Sequence, residues 1–521
     1  MNIADLVLRH AYGRGHEEAI SEFPSDRRRS FSELAERVTR LATAMKAQLG
    51  LARHDQVAVL SRNRIEYMEV MLACALNGHM VQALNWRLSR IELSEILKTS
   101  PPKLVIYDPE FSPEVEYLRQ ELPIKEWIHW SETTESSPFE ALIARQASGS
   151  NPGGPADVCG DDDPFLVVYT GGSSGISKGA VHTHRTAVSC MANNLAGERI
   201  VPTDRFMLMG QMFHSPVILA INYLTHGCPV VMVNFKPDLA LQCMEERKIT
   251  ASMGIPTMYQ NMLDLMQTGN WRLESLRNLQ YGGSPVAPSV IRSMHESFHC
   301  GLIQCYGRTE ELAITFLTQE DHDLAMQGID AHRLESCGRE SWLARVMLLD
   351  AAGAMIPRGS SEAGEIVVRS PGSMVGYLGR PDLTAAVSYG NGWMRTGDIA
   401  TMDDQGYLYV VDRANDLIIS GGENIYPAQV ERAIQRHEDV LEVAVIGIAD
   451  PLWGQSVKAY VVRKAGRNVA EQAIVETAAH YLASYQKPKF VEFLAELPKT
   501  PAGKIDKRAL RQANVDPQPK L

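Results

Sequence analysis

The chain has 521 residues, of which 45% are hydrophobic and 22% charged, and its formal net charge is −11 at pH 7. This length exceeds what one ordinary hydrophobic core supports, so at least two domains are expected. The acidic balance argues against a nucleic-acid partner, and no segment reaches the ~20 continuous apolar residues that a membrane span needs.

The N-terminal part alternates between predicted helices and strands. Ser30 and Glu33 form a capping-box pattern at the start of a helix that should end at Gly50. A second helix should cover 64–77 and end at Gly78. Short apolar runs predict strands at 57–60, 104–107, 165–169 and 230–233. This alternation predicts an α/β domain with a largely parallel sheet.

The pattern changes from about residue 344. Short β-like runs separated by Gly, Pro and Asp predict a small β subdomain, with strands at 346–350, 364–369 and 407–411. After Arg413 a self-contained α+β unit is expected. Its predicted elements are a helix at 427–436, strands at 443–448 and 457–462, a helix at 471–483 and a strand at 490–494. We therefore expect a large N-terminal domain, 1–413, and a small C-terminal domain, 414–521.

The cysteines and the N-terminus bear on the cellular compartment. Eight scattered cysteines include no CxxC pair, and Asp5 and Arg9 interrupt the apolar stretch at the N-terminus. We therefore expect no signal peptide. We expect a cytoplasmic protein whose thiols are buried and reduced. The sequence leaves the oligomeric state open, a homodimer included.

A glycine-rich loop follows the strand predicted at 165–169, where residues 165–181 read FLVVYTGGSSGISKGAV. Its glycines allow backbone N–H groups to face phosphate oxygens, and its hydroxyls and Lys178 add donors and positive charge. The flanks of Lys178 do not match a Walker A loop. The G-x-S-x-G around Ser173 also fits the nucleophile elbow of a serine hydrolase, although Gly175 and Gly179 weaken the helix that should follow. A phosphate loop is the preferred interpretation, with a hydrolase elbow and a plain loop left open.

Four further motifs follow in order: YGRTE (306–310), RTGD (395–398), DR (412–413) with GGENIYP (421–427), and PKTPAGKIDK (498–507). Together with the loop, they make nearly the whole chain resemble the adenylate-forming superfamily of acyl-CoA synthetases, luciferases and peptide-synthetase adenylation domains. Phe213-His214 is similar to the aromatic–His pair of acyl-CoA synthetases. The resemblance implies ATP, Mg²⁺ and coenzyme A. An acid and ATP would give acyl-AMP and pyrophosphate, and the CoA thiol would then give acyl-CoA and AMP.

The resemblance also implies roles for individual residues. Lys504 would bridge the carboxylate and the α-phosphate, Thr309, Glu310 and His214 would assist, and Glu310 would bind Mg²⁺. The expected ATP- and AMP-binding residues are Thr170, Gly171, Gly172, Ser173, Ser174, Gly175, Lys178, Gly283, Ser284, Pro285, Tyr306, Gly307, Asp398 and Arg413. The expected acyl pocket is lined by His214, Ser215, Gly282 and Gly307.

One lysine cannot serve both half-reactions in a single arrangement, so the resemblance implies a mobile C-terminal domain. It would rotate at a hinge, Asn415, and present Gly421 and Gly422 to guide CoA. The chain departs from the residues usual in the superfamily at five positions: Gly171, Ser177, Arg308, Asn415 and Gln429. None of these departures removes a charge that the mechanism needs.

The sequence says less about the acid. Small residues beside His214 and the glycines of the pocket leave room for the acyl group of the substrate. No cation is evident to bind a second carboxylate. We therefore expect a hydrophobic acid of medium size or larger, aliphatic or alicyclic. Alternatives are an enzyme that loads a carrier protein or stops at the adenylate, a serine hydrolase using Ser173, and a non-catalytic nucleotide-binding protein. Lys504, Asp398 and Glu310 argue against the last.

Overall fold

The computed structural model describes residues 2–130, 137–145, 159–170, 177–413, 416–420, 423–451, 453–500 and 504–515. The chain divides into two compact units. The large unit comprises Met1–Val346 and Val368–Met394, and the small unit comprises Met347–Val367 and Arg395–Leu521. This division differs from the predicted boundary at 413, because part of the β-rich segment groups with the C-terminal residues. The functional boundary therefore stays a prediction.

The described helices are, in chain order, α1 (Ile3–Leu8), α2 (His10–Arg14), α3 (Phe31–Ala47), α4 (Ile65–Asn77), α5 (Arg90–Thr99), α6 (Ser112–Glu121), α7 (Pro138–Ala144), α8 (His184–Glu198), α9 (Pro216–Thr225), α10 (Pro237–Glu246), α11 (Pro256–Met266), α12 (Pro288–Phe298), α13 (Gln319–Met326), α14 (Pro381–Val387), α15 (Pro427–Ile434), α16 (Glu471–Tyr481) and α17 (Lys507–Val515). Short 3₁₀ helices lie at Pro109–Phe111 and Ala331–Glu335.

The described strands are β1 (Glu18–Phe23), β2 (Arg28–Ser30), β3 (Gln56–Leu60), β4 (Met80–Leu84), β5 (Leu104–Tyr107), β6 (Glu126–His129), β7 (Pro164–Thr170), β8 (Lys178–Thr183), β9 (Phe206–Leu208), β10 (Val230–Val233), β11 (Ala251–Gly254), β12 (Asn278–Gly282), β13 (Gly301–Tyr306), β14 (Thr315–Leu317), β15 (Arg339–Glu340), β16 (Arg345–Leu349), β17 (Met355–Ile356), β18 (Gly364–Arg369), β19 (Gly376–Tyr377), β20 (Ser388–Gly390), β21 (Trp393–Met402), β22 (Leu408–Arg413), β23 (Ile418–Ser420), β24 (Glu423–Ile425), β25 (Val440–Asp450), β26 (Gly454–Arg463) and β27 (Phe490–Leu494).

Local sequence signals set the ends of the first long helices. The Ser30 hydroxyl accepts the Glu33 amide at 3.2 Å and the Glu33 carboxylate accepts the Ser30 amide at 2.8 Å, which confirms the capping box. Helix α4 ends at Gly78, whose φ of 69° is the left-handed value that favours glycine. Helix α3, however, ends at Ala47, so the predicted end at Gly50 is three residues too late.

Two largely parallel sheets organise the large unit, as the α/β prediction requires. The first has the order β19-β8-β7-β4-β3-β5-β6, with antiparallel pairing only at its β7–β8–β19 end. The second has the order β15-β14-β13-β12-β11-β9-β10-β1-β2. From β1 through β10, β9, β11 and β12 to β13 its strands are parallel. Their carboxyl ends therefore share one edge, where α/β sheets bind ligands.

The small unit contains the α+β fold expected near the C-terminus. The long strands β25 and β26 pair antiparallel, and β27 adds to β26 in parallel. One face buries Val445 and Val457 together with Ile474 of α16, and the other buries Tyr460 and Leu510. Strand β21 pairs antiparallel with β22. The short hairpin β16–β17 extends the β-rich part of this unit.

The eight cysteines, all within the described residues, form no disulfide, and all but Cys159 and Cys305 are buried. Burial raises the pKa of several of these thiols, that of Cys243 to about 12, so they stay protonated at neutral pH. Among the described helices, none combines the length and the hydropathy required to cross a bilayer.

Glu198, at the end of α8, is a buried carboxyl outside the predicted site. Its side chain is 1% exposed, and the Tyr223 hydroxyl donates to Oε2 at 3.0 Å. Within the described part of the chain, Oε1 has no hydrogen-bond partner. Burial raises the pKa of Glu198 to about 8. The folded protein therefore keeps this proton at pH values where the unfolded chain, with an ordinary pKa of 4.5, has lost it.

We expect Glu198→Gln to stabilise the protein increasingly as the pH rises. Below about pH 4.5 both states of the wild type hold the proton, so the two proteins should differ little. Between about pH 4.5 and 8 the free-energy difference should grow by up to about 1.4 kcal/mol per pH unit in favour of the variant. Thermal unfolding at pH 5, 6, 7 and 8 measures this, with Glu246→Gln at an exposed position of helix α10 as control. A pH-independent difference would refute the assignment.

Candidate functional site

The YGRTE turn and the Gly282–Pro285 segment lie side by side. Strands β12 and β13 are parallel neighbours with Gly282 opposite Cys305, so both segments leave the same edge of the second sheet. The first sheet reaches this edge through β8, where His182 Nε2 lies 2.7 Å from the Thr309 carbonyl. Burial lowers the pKa of His182 to about 4, so the ring is neutral, and Nε2–H donates to this carbonyl. The YGRTE turn, the Gly282–Pro285 segment and β8 therefore lie close together, and their roles in binding stay predictions.

Two glycines at this edge are required by backbone packing. A Cβ at Gly307 would lie 1.4 Å from the Leu312 carbonyl oxygen, and a Cβ at Gly282 would lie 2.3 Å from that of Cys305. The Leu312 amide donates to the Arg308 carbonyl at 2.6 Å and closes the turn. These positions are thus closed to larger residues, whatever they contribute to an acyl pocket.

Glu310 is the central acid of the site, and its side chain is 7% exposed. Its Oε1 accepts a hydrogen bond from the Tyr377 hydroxyl at 2.5 Å and lies 3.2 Å from Arg308 Nη2. The Met374 amide donates to the Glu310 carbonyl at 2.6 Å, so the backbone is also held. Burial and the neighbouring Glu310 charge raise the pKa of the Tyr377 hydroxyl, which therefore remains a donor. Tyr377 belongs to none of the predicted motifs.

Glu310 fits the role of magnesium ligand that the sequence predicts. Its Oε2 has no hydrogen-bond partner among the residues that the structure describes, and carboxylate oxygens are ligands that Mg²⁺ prefers. No group of three or more His, Cys, Asp or Glu in the described residues could hold a metal ion. A magnesium ion here would thus need oxygen ligands from a bound phosphate as well, which is how Mg²⁺ commonly binds to enzymes.

The glycine-rich loop joins two antiparallel strands. Residues 171–176, with the predicted contacts Gly171, Gly172, Ser173, Ser174 and Gly175, lie outside the described residues. At the ends of the loop, Thr170 pairs with Lys178, and the Thr170 hydroxyl donates to the Lys178 carbonyl at 3.4 Å. Lys178 Nζ lies 5.5 Å from the centre of the Tyr377 ring. The loop therefore returns its lysine to the tyrosine that holds Glu310.

The same topology removes the serine-hydrolase interpretation. A nucleophile elbow needs a helix directly after the turn that carries the serine. Here β8 begins at Lys178 and pairs with β7, so the expected helix is replaced by a strand. The helix that a nucleophile elbow would require is therefore absent from residues 178–183, which form β8.

A cavity of about 500 Å³ lies next to Tyr377 in the large unit. Its walls come from β19, α14 and their flanking residues, which are Val375, Gly376, Tyr377, Gly379, Arg380, Pro381, Thr384, Ala385 and Ser388. Tyr377 lines this cavity and also contacts Glu310, but Glu310, Thr309 and Lys178 are not among the lining residues, so the cavity does not locate the phosphate site.

The predicted acyl-pocket residue His214 stands beside an aromatic wall. Phe213 is buried and contacts His214 with ring centres 4.6 Å apart, and Trp86 packs edge-on against Phe213 at 6.4 Å. The Arg87 guanidinium lies 4.6 Å from the Trp86 ring centre and 5.9 Å from that of Phe213. A cation therefore lies near Phe213, while the expectation that no cation binds a second carboxylate of the acid stays a prediction. Ser215, also predicted to line the pocket, is exposed.

The RTGD motif lies within strand β21, and its four residues belong to the small unit. Glu365 pairs with Arg395, and its carboxylate accepts the Gly397 amide at 3.1 Å. Gly397 has a φ of 71°, which favours glycine. Asp398 is 5% exposed and lies opposite Arg413 on β22. Glu365 thus anchors the backbone next to Asp398, a role that was not predicted.

Lys504 closes a turn near the C-terminus. The Thr500 amide donates to the Lys504 carbonyl at 2.7 Å, and the Lys504 amide donates to the Thr500 hydroxyl at 3.2 Å. The Lys504 side chain is exposed, as a residue at a loop tip should be. The predicted hinge, Asn415, the CoA-guiding Gly421 and Gly422, and the side chain of Arg413 lie outside the described residues.

Known protein families and individual known proteins match this chain over most of its length. Residues 7–378 match the model of the AMP-binding enzyme family, and residues 429–504 match the AMP-binding enzyme C-terminal domain. A feruloyl-CoA synthase of Amycolatopsis sp is 34% identical over 486 residues, which cover 93% of each chain. The long-chain-fatty-acid–CoA ligase FadD13 of Mycobacterium tuberculosis is 31% identical over 517 residues, 98% of each chain.

A solved structure agrees with the fold. The amide bond synthetase McbA from Marinactinospora thermotolerans superimposes with a TM-score of 0.84 at 26% identity, over 98% of this chain and 99% of that one. The family match, the shared fold and the relatives together show that the chain belongs to the AMP-binding enzyme family, in the acyl-CoA synthetase branch of the adenylate-forming superfamily, and is an AMP-forming acid–thiol ligase.

Proposed function

We propose that this enzyme joins a hydrophobic carboxylic acid to coenzyme A in two steps. The acid and ATP would give an acyl-adenylate and pyrophosphate, and the CoA thiol would then release acyl-CoA and AMP. The observation that supports this most is the buried Glu310 carboxylate, held by Tyr377 beside Lys178 where the glycine-rich loop ends. One acid and one lysine placed together in this way suit the binding of a magnesium–triphosphate complex.

The first step must bring two anions together. Lys178 and the backbone of the loop would hold the β- and γ-phosphates and then the departing pyrophosphate. Thr309 would face the α-phosphate, and Glu310 would hold Mg²⁺, which when bound would neutralise phosphate charge. Lys504 would offset the repulsion between the attacking carboxylate and the α-phosphate.

The remaining nucleotide contacts would fix the adenosine. Asp398, on strand β21 next to the Gly397 amide that Glu365 anchors, would accept hydrogen bonds from the ribose hydroxyls, with Arg413 as a second contact. Tyr306 and the segment of Gly283, Ser284 and Pro285 would line the adenine side.

The second step would require the C-terminal domain to present different residues to the reacting groups. After pyrophosphate leaves, the C-terminal domain, 414–521, would rotate about Asn415 and present Gly421 and Gly422 along the path of the CoA thiol. The thiol would then attack the carbonyl carbon of the adenylate, and AMP would leave with one former carboxylate oxygen. His214, beside the aromatic wall, would border the acyl group during this attack.

The acid is proposed to be hydrophobic and of medium size or larger, aliphatic or alicyclic. Phe213 and the wholly buried helix α9 make the surroundings of His214 apolar. One relative is named for a long-chain fatty acid and another for a feruloyl group, and both acyl groups are larger than acetyl. Because Arg87 lies 5.9 Å from the Phe213 ring centre, an acid with a second carboxylate must also be tested.

Tyr377→Phe should slow adenylate formation by about tenfold or more while leaving the fold intact. The variant loses only the hydroxyl that donates to Glu310, and a hydrogen bond to a charged group is worth about 1.5–3 kcal/mol. Acid-dependent exchange of pyrophosphate into ATP reports this step. Tyr117→Phe on α6 is the matched control and should behave as wild type. A Tyr377→Phe enzyme with full exchange activity would show that this contact does not serve the reaction.

A panel of acids, assayed by pyrophosphate release with ATP and Mg²⁺, tests the proposed function. It should contain medium- and long-chain aliphatic acids, an alicyclic acid, a hydroxycinnamic acid, a dicarboxylic acid and acetate. Each active acid is then offered free CoA, an acyl carrier protein or an amine. We expect release with the aliphatic or alicyclic acids and acyl transfer to CoA. Transfer only to the carrier protein or to the amine would contradict the CoA ligase, and release with none of the acids would contradict the substrate class.

A further inference from the structure

Arg308 occupies an unusual place in this site. It stands in the YGRTE turn at a position where the superfamily usually has an uncharged residue, and it lies between two acids. Its Nη2 is 3.2 Å from Glu310 Oε1, and its Nη1 is 3.7 Å from Glu311 Oε1. The exposed fractions of the three side chains are 16%, 7% and 0% for Arg308, Glu310 and Glu311. Water therefore screens these charges little, and their interactions are stronger than at an open surface.

This placement makes the Arg308 guanidinium and a bound metal ion competitors for the Glu310 carboxylate. Its Oε1 already receives the Tyr377 hydroxyl and the Arg308 guanidinium, and Oε2 is left for a metal ion. A guanidinium so close to a metal-binding carboxylate repels a divalent cation. Glu311 lies on the other side of Arg308 and draws the same guanidinium towards itself.

We propose that Arg308 is a positioning residue that holds the Glu310 carboxylate before MgATP binds and shifts towards Glu311 when the metal ion arrives. This inference rests on the proposed function, in which Glu310 binds Mg²⁺. Arg308 then sets how tightly the enzyme–nucleotide complex holds its metal ion. The charge pair with Glu311 supplies an alternative partner, so the guanidinium is never left buried without an acid.

The test measures metal binding without turnover. Mn²⁺ replaces Mg²⁺, the α,β-methylene analogue of ATP replaces ATP, no acid is added, and electron paramagnetic resonance counts free Mn²⁺. Arg308→Met should tighten Mn²⁺ binding to the enzyme–nucleotide complex by about tenfold or more, because a repelling positive charge is removed. Glu311→Gln should weaken it by about threefold or more, because Arg308 then stays on Glu310.

These opposite shifts distinguish the proposal from a purely structural role, in which both substitutions would loosen the turn and weaken binding. Arg292→Met on α12 is the control for loss of one positive charge in the large unit and should match wild type. Arg308→Gln provides a second test if the Met variant fails to fold.

Unchanged or weaker Mn²⁺ binding in the Arg308 variants would overturn the proposal. Wild-type enzyme that binds no Mn²⁺–nucleotide at all would overturn it too, but would do so by refuting the proposed ATP site. The wild-type titration thus separates failure of the proposed function from failure of the role given to Arg308.

Discussion

Lys504→Ala should lower the rate of acyl-adenylate formation by about 10²–10³-fold. The reason is electrostatic, since a carboxylate must approach a phosphate that carries the same sign of charge, and Lys504 is the cation expected to lie between them. The same variant should convert externally supplied acyl-adenylate and CoA to thioester at close to the wild-type rate. Pyrophosphate exchange measures the first half-reaction, and thioester formation measured by chromatography reports the second.

Lys499→Ala is the matched control, because Lys499 is an exposed lysine on the same C-terminal turn and pairs with Glu442. It should retain both half-reactions. If Lys504→Ala lost both half-reactions equally, Lys504 would not act in adenylate formation alone. The proposed rotation of the C-terminal domain at Asn415 would then be contradicted as well.

Glu310→Gln should lower adenylate formation by a similar factor, about 10²–10³-fold, and should raise the Mg²⁺ concentration needed for half-maximal rate. Glutamine keeps an oxygen that can accept the Tyr377 hydroxyl, but it lacks the charge that binds a divalent cation. A magnesium titration of pyrophosphate exchange, with ATP kept saturating, separates the loss of metal binding from a general loss of activity.

Asp264→Asn on α11 is the control for loss of one negative charge in the large unit and should leave the magnesium titration unchanged. Thioester formation from supplied acyl-adenylate should also survive in Glu310→Gln, because no triphosphate takes part in that step. An unaltered magnesium requirement in Glu310→Gln would remove this residue from the metal site.

The sequence predicted elements well where local signals are strong. Strands β5, β10, β18 and β27 have the predicted bounds, and the capping box of α3 and the glycine end of α4 are present. These features depend on residues a few positions apart. The end of α3 was misplaced because the chain leaves the helix before Gly50, a local change that composition does not show.

The contacts that complete the site could not be read from the sequence. Tyr377 meets Glu310 across 67 positions and His182 meets Thr309 across 127, because two separate sheets bring them together. Glu365 on β18 anchors the RTGD segment of the neighbouring strand β21. In each case the motif residue was found and its supporting partner was not, since sheet order decides which strands become neighbours.

In the proposed reaction the substrate carboxylate attacks the α-phosphorus of ATP. Oxygen tracing tests it most directly, with an active acid carrying ¹⁸O in both carboxylate oxygens, and mass spectrometry of the products after complete conversion with ATP, Mg²⁺ and CoA. We predict one ¹⁸O atom in AMP, one in the acyl-CoA carbonyl and none in pyrophosphate. Formation of ADP with ¹⁸O in inorganic phosphate, or AMP without label, would contradict an acyl-adenylate and the function proposed for this chain.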